Sequence, residues 1–321
     1  MHVAYRSEWI IIIGLLGMVA ALYGYCAYIV GRKCFVEKVA LSRFGILNWI
    51  LLLVALFGLV LASYAMFVEP YNLEVTHVTL PIDGLPEGTK TIRIAQISDL
   101  HSDPTERLES KLPEAIKNER PDLIFFTGDC LNSDDGFDNF NRCMQAVKTI
   151  APTISTKGDW DFEPPITFDP LARAGLKNTG TPARRIVTVH GAKLCIISVE
   201  SGAPAVGEVD AAPHGVPLIL LTHGPDSDIV LSNDTSGIDL ICCGHTHGGQ
   251  IALPFFGPLI SQSLTKLQFA SGLHKIDNTW IYTNRGIGME GHFPRVRFCA
   301  RPELTIYELI PSGNAHQDRH S

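Results

Sequence analysis

Short apolar runs in this chain end repeatedly in aspartate or histidine, often beside a glycine. Aspartate and histidine supply the oxygen and nitrogen ligands of transition-metal sites. A single aspartate after a strand is more often a turn or helix cap than a ligand. Repetition of the arrangement favours a metal centre. In chain order the blocks are Asp99-Leu100-His101, Gly128-Asp129, Gly158-Asp159-Trp160-Asp161, His223-Gly224 and Gly244-His245-Thr246-His247.

Strand-like and helix-like segments alternate in the first half of the region that carries these blocks. The pattern predicts a strand over residues 91–98, a helix over 106–118, a strand over 123–127 and a helix over 137–150. Residues 73–80 alternate apolar and polar side chains in the manner of an edge strand. The alternation of strands and helices indicates a sheet covered by helices.

The second half of the chain is rich in strands with short connections. Residues 185–190 and 193–199 predict a hairpin, and further strands are predicted over 217–221, 238–243, 280–283 and 304–309. We therefore predict an α/β domain over residues 71–310, with two mixed sheets packed together and flanked by helices. Residues 311–321 are predicted to be a disordered polar tail.

Two long apolar segments precede this domain. Residues 9–30 and 46–67 contain no charged side chain, and each is long enough to cross a hydrocarbon core of about 30 Å. A cleaved signal peptide is the alternative for the first segment, but its apolar stretch exceeds about 15 residues and no small-x-small site follows. Residues 1–70 are therefore predicted to form an anchor of two transmembrane helices.

The charges around these segments predict an orientation. The connector carries Arg32, Lys33, Lys38 and Arg43, which favours a cytoplasmic connector and an extracytoplasmic catalytic domain. The six cysteines of the domain lack disulfide-like spacing, which is more typical of a reducing compartment. These two indications disagree, and both compartments stay open. The net charge of −7 disfavours nucleic acid as a partner.

Paired residues within the blocks are spaced to share a ligand. Asp99 and His101 follow a strand pattern, and residues two apart in an extended chain point the same way. His245 and His247 repeat that spacing, with flanking glycines that let the backbone and a metal approach closely. Isolated histidines such as His77, His190 and His274 are not expected to be ligands.

The ordered blocks D-x-H, G-D, a variant of G-N-H-D/E, a single histidine and G-H-x-H resemble the calcineurin-like metallophosphoesterase family over residues 99–247. The longer stretches GHTHGGQIALPFFGPL and YTNRGIG resemble, more narrowly, its membrane-associated branch of YkuE- and YaeI-like phosphodiesterases. The resemblance implies a four-layer α/β/β/α sandwich that holds two divalent metal ions. Mixed oxygen and nitrogen ligands suit Mn, Fe or Zn.

The resemblance also implies a role for each residue of the blocks. Two metals that activate water and hold the phosphoryl oxygens make a nucleophile from the protein unnecessary. Arg285 and Asn284 follow a predicted strand and are candidates to contact phosphate. The implied ligands are Asp99, His101 and His247 for the first metal, Asp129 as the bridge, and Asp159, His223 and His245 for the second metal.

One block departs from the family pattern, because Asp159-Trp160 stands where the family has asparagine and histidine. An aspartate still supplies an oxygen ligand but adds a negative charge. The added charge should tighten metal binding and make the metal centre a weaker electrophile toward the phosphoryl group. The family histidine is thought to protonate the leaving oxygen, and an indole N–H has no such acidity. A positioned general acid is worth about 10² to 10⁴-fold. We therefore expect a preference for good leaving groups.

Several interpretations of this block stay open. Asp161 and His292 are candidates to replace the missing acid, although a helix cap and a loop residue are their ordinary roles. Trp160 is also suited to stack on a base, a sugar or an acyl chain.

The main functional hypothesis is a membrane-anchored, two-metal phosphodiesterase or pyrophosphatase. Its expected substrate is a phosphorylated lipid or a lipid-linked nucleotide, and the apolar loop 253–260 is a candidate contact for acyl chains. A UDP-diacylglucosamine pyrophosphatase-like enzyme is the alternative if the domain is cytoplasmic. A catalytically silent metal-binding membrane sensor or scaffold is the alternative that the Asp159-Trp160 block suggests.

Overall fold

A computed structural model of the chain describes residues 4–36, 45–176, 182–232, 235–254, 256–258, 267–290 and 295–313, with side chains described from Gly17 onward. The chain divides into two compact units, residues 1–65 and 66–321.

The first unit contains the long helix α1 (Ala4–Gly31) and all but the last two residues of α2 (Ile46–Phe67). Within the unit, the Tyr23 hydroxyl donates a hydrogen bond to the Ala55 carbonyl over 2.9 Å. Among the described residues, one helix is long and apolar enough to cross a membrane, Ile46–Tyr71, with a mean hydropathy of 2.6. This helix contains the second predicted span. The hairpin of two spans remains a prediction.

Thirteen strands and five further helices are described in the second unit. The strands are β1 (Glu74–Ile82), β2 (Ile92–Ile97), β3 (Leu123–Phe126), β4 (Thr153–Ser155), β5 (Ala183–Val189), β6 (Ala192–Val199), β7 (Leu218–Thr222), β8 (Leu240–Cys243), β9 (Ala252–Leu253), β10 (Gly257–Pro258), β11 (Gly272–Ile276), β12 (Thr279–Thr283) and β13 (Glu303–Pro311). The helices are α3 (Leu112–Glu119), α4 (Phe137–Val147), α5 (Pro170–Arg173), α6 (Val206–Asp210) and α7 (Asp228–Ser232).

These strands form two large mixed sheets. One sheet has the order β1-β13-β2-β3-β4, and the other has the order β11-β12-β8-β7-β6-β5. Strands β2, β3 and β4 run parallel, as do β6, β7, β8 and β12, while β5 and β11 pair antiparallel at the edges of their sheet. The short strands β9 and β10 form a separate antiparallel pair.

Alternate side chains of each strand enter different cores, as the period of two requires. Phe125 and Ile94 pack between the sheets with residues of β6, β7 and β8. Phe126 on the other face packs with Phe140 of α4. On the far side of the second sheet, Leu220 packs with Ile229 of α7. The domain therefore has the four layers α/β/β/α, with helices on both outer faces.

Most predicted strands agree with the structure to within two residues. Strand β1 lies at the edge of its sheet as predicted, paired with β13 in parallel. The helix predicted over 106–118 begins later, at Leu112, with Pro113 in its first turn, where proline is favoured. The preceding backbone is held by side chains instead, because Ser110 N–H donates to the Glu106 carboxylate. The predicted tail from residue 314 onward lies outside the described residues.

Candidate metal centre

The predicted ligands follow the carboxyl ends of strands in both sheets. Asp99 and His101 come after β2, Asp129 after β3, His223 after β7, and His245 and His247 after β8. Asp159 lies in the loop that follows β4. The carboxyl ends of parallel strands are where α/β sheets place ligands, because the loops of neighbouring strands converge there. The structure brings all seven predicted ligands together in this region.

The backbone at these strand ends is unusual. Five of the ligand residues have a positive φ, a conformation that costs free energy in residues other than glycine and that recurs at functional sites. Close approach also restricts the neighbouring glycines. A Cβ on Gly158 would lie 2.0 Å from Asp129 Oδ1, and one on Gly244 would lie 2.3 Å from Asp99 Oδ2. The five residues are Asp99, His101, Asp129, His245 and His247.

We name Asp99, His101 and His247 the first cluster. One ligand atom from each lies within 4.8 Å of the others, and all three residues are buried. His247 Nε2 lies 3.6 Å from Asp99 Oδ1. The His245 backbone N–H donates to both oxygens of Asp99 over 3.1 and 3.2 Å, so the turn that carries the two histidines also fixes this carboxylate.

We name Asp129, Asp159, His223 and His245 the second cluster, whose ligand atoms also lie within 4.8 Å of one another. Asp159 Oδ1 lies 2.9 Å from His223 Nε2 and 3.3 Å from His245 Nδ1. Unlike the first cluster, this one reaches solvent, because the Asp159 side chain is 39% exposed.

Asp129 lies between the two clusters. Its Oδ1 accepts a hydrogen bond from the Trp160 backbone N–H over 3.1 Å, which fixes the carboxylate. Its Oδ2 lies 3.3 Å from His101 Nε2 and 3.2 Å from His223 Nε2. One oxygen thus faces a histidine of each cluster, as a shared metal ligand must.

Several atoms that face these clusters are buried and have no hydrogen-bond partner among the described residues. Such atoms cost about 1 to 3 kcal/mol each unless something satisfies them, and a divalent cation does so. The His223 ring fits this role, because its Nδ1–H donates to the Thr127 carbonyl over 2.7 Å and leaves Nε2 as the ligand atom. The buried atoms without a hydrogen-bond partner that face the clusters are His101 Nε2, Asp129 Oδ2, Asp159 Oδ1, His247 Nε2 and Glu290 Oε1.

His247 fits a metal less completely than His223 does. Arg297 is fully buried and donates to His247 Nδ1 over 3.0 Å, which leaves the ring proton of a neutral imidazole on Nε2. Ligation through Nε2 would displace that proton. His101 Nδ1 is buried without a hydrogen-bond partner among the described residues, but no described arginine donates to the ring of His101, His223 or His245. The set as a whole therefore fits divalent metal.

The pKa shifts agree with ionised carboxylates at Asp129 and Asp159, whereas burial raises the pKa of Asp99. Burial alone would raise the pKa of Asp129, but His223 and His101 outweigh burial and hold it well below its usual range. Burial likewise opposes ionisation of Asp159, and hydrogen bonds with His223 and His245 lower its pKa overall. Burial lowers the pKa of His247, and His101 and Arg297 lower it further, so that this imidazole is neutral.

The structure adds one residue that the sequence interpretation missed, Glu290. It is buried, and its ligand atom lies within 4.8 Å of those of His101 and Asp129. Trp160 Nε1–H donates to its Oε2 over 3.0 Å. Burial raises the pKa of Glu290 to about 7. Its position two residues before His292, in a glycine-rich loop, is the signal that could have drawn attention to it.

Trp160 packs against the first cluster. Its ring meets His101 edge-on, with centroids 5.4 Å apart. Trp160 is partly buried, and its indole N–H is bonded to Glu290. The side chain that replaces the family histidine is therefore held by contacts within the site.

The candidate acids and phosphate contacts have other partners. Asp161 accepts hydrogen bonds from the backbone N–H groups of Asp129, Cys130 and Gly158, at 3.0, 2.9 and 3.0 Å, and so fixes two ligand loops to each other. Burial, with Asp129 nearby, raises the pKa of Asp161 to about 6. These three hydrogen bonds indicate a structural role for Asp161 in holding the loops. His292 lies outside the described residues.

Arg285 and Asn284 are also committed to the fold. The Arg285 guanidinium pairs with Glu74 over 2.8 Å and with Glu303 over 3.1 Å. Asn284 is buried and donates to Thr305 Oγ1 over 2.8 Å. These two residues therefore help to hold strand ends together, and the phosphate contact stays a prediction.

A cavity of about 490 Å³ opens beside the second cluster. Asp159, His223 and His245 form one wall, and residues of the loop after β6 form another. This cavity gives a small molecule access to the second cluster.

Buried carboxylates and imidazoles that could hold metal ions, beside an open cavity, are what a metal-dependent phosphoric ester hydrolase requires. Comparison with known protein families gives the same class. Residues 92–249 match the calcineurin-like phosphoesterase family, and the chain belongs to that family.

Relatives of the chain carry names of the same kind. It is 30% identical over 259 residues to the uncharacterized metallophosphoesterase YkuE of Bacillus subtilis (strain 168), covering 77% of this chain and 89% of that protein. It is 27% identical to phosphodiesterase YaeI of Escherichia coli (strain K12), covering 77% and 92%. It is 26% identical to UDP-2,3-diacylglucosamine pyrophosphatase LpxG of Chlamydia trachomatis, covering 77% and 92%.

Proposed function

We propose that this chain is a membrane-anchored, two-metal phosphoesterase. It hydrolyses a phosphodiester or pyrophosphate bond with a good leaving group, in a phosphorylated lipid or a lipid-linked nucleotide. The observation that carries the proposal is the pair of clusters that share Asp129, because a two-metal centre needs one carboxylate that faces both ions.

The chain's own residues then have distinct tasks. Asp99, His101 and His247 would hold the first metal, Asp159, His223 and His245 would hold the second, and Asp129 would be shared by both. Bound metals would supply a Lewis acid for the phosphoryl oxygens and an activated water. The His223–Thr127 hydrogen bond orients a ligand, and the buried first cluster keeps solvent from one side of the centre.

The leaving-group preference follows from Trp160. Its indole N–H donates to Glu290, so this side chain has no proton to give to a leaving oxygen. A phosphate released from a pyrophosphate, or a phenolate, is stable without protonation. We therefore expect bonds of these kinds to be cleaved in preference to alkyl monoesters.

A lipid substrate is supported by two apolar features. Helix Ile46–Tyr71 is suited to cross a bilayer. In the loop that follows the second cluster's histidine turn, Phe256 is 87% exposed, which suits contact with an acyl chain. The relative LpxG is named for a lipid-linked pyrophosphate substrate, and that substrate class fits this chain if its catalytic domain is cytoplasmic.

The proposal is tested with the full-length chain in detergent, loaded with Mn²⁺. We expect hydrolysis rates of aryl and alkyl phosphodiesters to fall steeply as the leaving-group pKa rises. Rapid hydrolysis of alkyl monoesters would contradict the leaving-group argument. Bound metal with no turnover of any activated ester would favour the silent sensor or scaffold instead. Mass spectrometry of membrane lipid extract after incubation identifies the substrate that is lost.

The compartment is tested separately. The charges around the connector favour an extracytoplasmic catalytic domain, whereas all eight cysteines, which lie in the described part of the chain, are free thiols. A reporter that is active on one side of the membrane, fused at the C-terminus, separates an extracytoplasmic phospholipid substrate from a cytoplasmic nucleotide-linked one.

A further inference from the structure

We propose that Glu290 is an additional metal ligand of the centre and that Trp160 is the residue that positions it. The inference rests on the proposed two-metal function and adds a ligand that the family pattern does not contain. It starts from the location of Glu290, whose ligand atom lies within 4.8 Å of those of His101 and Asp129.

The two oxygens of Glu290 differ in their contacts. Oε2 accepts the Trp160 indole hydrogen bond over 3.0 Å. Oε1 is buried and has no hydrogen-bond partner within the described residues. The side chain as a whole is only 5% exposed. A buried carboxylate oxygen with no donor is costly unless a cation faces it, because burial removes its water.

The loop that carries Glu290 is fixed to the loop of the first cluster. Ile287 N–H donates to the Ser98 carbonyl over 2.9 Å, and Gly288 N–H donates to the Asp99 carbonyl over 2.7 Å. Asn132 Nδ2 bonds the carbonyls of both His101 and Met289. These hydrogen bonds hold the loop of Glu290 beside the loop that carries Asp99 and His101.

Charge balance agrees with this assignment. Asp99, Asp129 and Asp159 supply three formal negative charges, and Glu290, which must lose its proton to bind a metal, would make four. Two divalent ions supply four positive charges, so the metal-loaded centre would be neutral. A neutral centre holds metal tightly and attracts a phosphate more weakly than a positive one does, which again favours good leaving groups.

The positioning role of Trp160 follows from its two contacts. The ring lies edge-on to His101, and the indole N–H holds Glu290 Oε2. One side chain thus fixes a ligand of the first metal and the additional carboxylate together. Trp160→Phe would keep an aromatic ring beside His101 but lose the N–H that donates to Glu290.

The test is a metal titration of the full-length chain in detergent, by calorimetry and by competition with a fluorescent chelator for Mn²⁺. We expect the unchanged chain to bind two ions. Glu290→Gln should lower the affinity for one of the two ions by roughly 10 to 100-fold. Trp160→Phe should lower the same affinity by a smaller factor. The absorption spectrum of bound Co²⁺ should change in Glu290→Gln, because the number of ligands changes. Glu163→Gln, which removes an exposed carboxylate, should change neither quantity.

Glu290→Asp separates ligation from charge. It keeps the negative charge, but its side chain is one methylene shorter, so its carboxylate lies farther from the other ligand atoms. A ligand role predicts weakened binding in this variant as well, and it remains measurable if Glu290→Gln does not fold. Unchanged dissociation constants in Glu290→Gln, or binding by Glu290→Asp equal to that of the unchanged chain, would overturn the proposal. Two bound ions without any hydrolysis would count against the proposed function alone, and absence of metal binding would overturn both.

Discussion

The side chains of the first cluster are all buried, whereas in the second cluster Asp159 is 39% exposed and His245 is 15% exposed. The difference follows from what covers each cluster. Trp160 and Glu290 cover the first cluster, and a cavity of about 490 Å³ opens beside the second. We therefore expect the first metal to be part of the folded structure and the second to be the one that exchanges and meets substrate.

The strongest test of the comparison changes the residue that both clusters share. Asp129→Asn keeps the volume but removes a charge, and we expect both ions to be lost. The catalytic efficiency, kcat/KM, for an aryl phosphodiester should fall by roughly 10³-fold or more. Asp138→Asn, at an exposed aspartate of α4, is the control. Loss of only one ion would show that the two clusters do not depend on Asp129 equally.

A second test restores the family residue beside the first cluster. Trp160→His should raise hydrolysis of esters with poor leaving groups by about 10²-fold, because an imidazolium can protonate the leaving oxygen. At saturating Mn²⁺, hydrolysis of aryl esters should change little. Trp160→Phe should give no such gain. If neither variant alters the dependence on leaving-group pKa, the proton comes from another group, and the argument from Trp160 fails.

A third test measures the exposure difference directly. When the Mn-loaded chain is placed in excess chelator, we expect two phases of metal loss with rates roughly tenfold apart, because surrounding side chains control access to a bound ion. Metal content and hydrolysis of an aryl phosphodiester are followed together. Activity should disappear with the first phase. A single phase would mean that burial of the first cluster does not slow exchange.

The smallest expected effect concerns an ion-pair group next to the first cluster. Asp103 follows His101 by two residues and accepts hydrogen bonds from Arg295 over 2.7 and 2.6 Å and from Arg107. Burial opposes ionisation of Asp103, but the two arginines lower its pKa overall. Asp103→Asn should lower the free energy of unfolding by about 2 kcal/mol.

The pH dependence gives the sign of this effect. A carboxyl with a lowered pKa in the folded state contributes its full stability above the unfolded pKa of about 4. That contribution is lost as the pH falls through the lower folded value. The stability difference between the unchanged chain and Asp103→Asn, measured by denaturant unfolding, should therefore shrink below about pH 4. A difference that stays constant with pH would exclude an ionic origin.

Regular elements with a clear period were predictable from the sequence. Strand β2 shows why, because its apolar residues lie on both faces and the chain breaks into polar residues directly after it. Helix α3 shows the limit. The pattern over 106–118 is helical, but the helix begins only at Leu112. In the residues before it, the Glu106 and Glu109 carboxylates accept hydrogen bonds from the backbone N–H groups of Ser110 and Arg107. The periodic pattern of apolar residues does not show that side chains compete with the helix for backbone hydrogen bonds.

The ligand blocks were visible because each lies within a few residues of a strand end. Glu290 was not recognised, because its place in a glycine-rich loop, two residues before His292, is the single local signal that it offers. The ion pairs of Arg285 with Glu74 and Glu303 were not predictable either, because these partners are distant from it in sequence. Its contact with phosphate stays a prediction.

By itself, the sequence determined the family of this chain, its strand ends with aspartate and histidine, and the replacement of the family histidine by Trp160. These are local patterns, and their spacing along the chain carries the information. Only the tertiary structure decided that Trp160 bonds Glu290, that Asp161 fixes two loops, and that one cluster is enclosed while the other is open. These properties depend on contacts between residues far apart in the chain, which form only when the two sheets pack together.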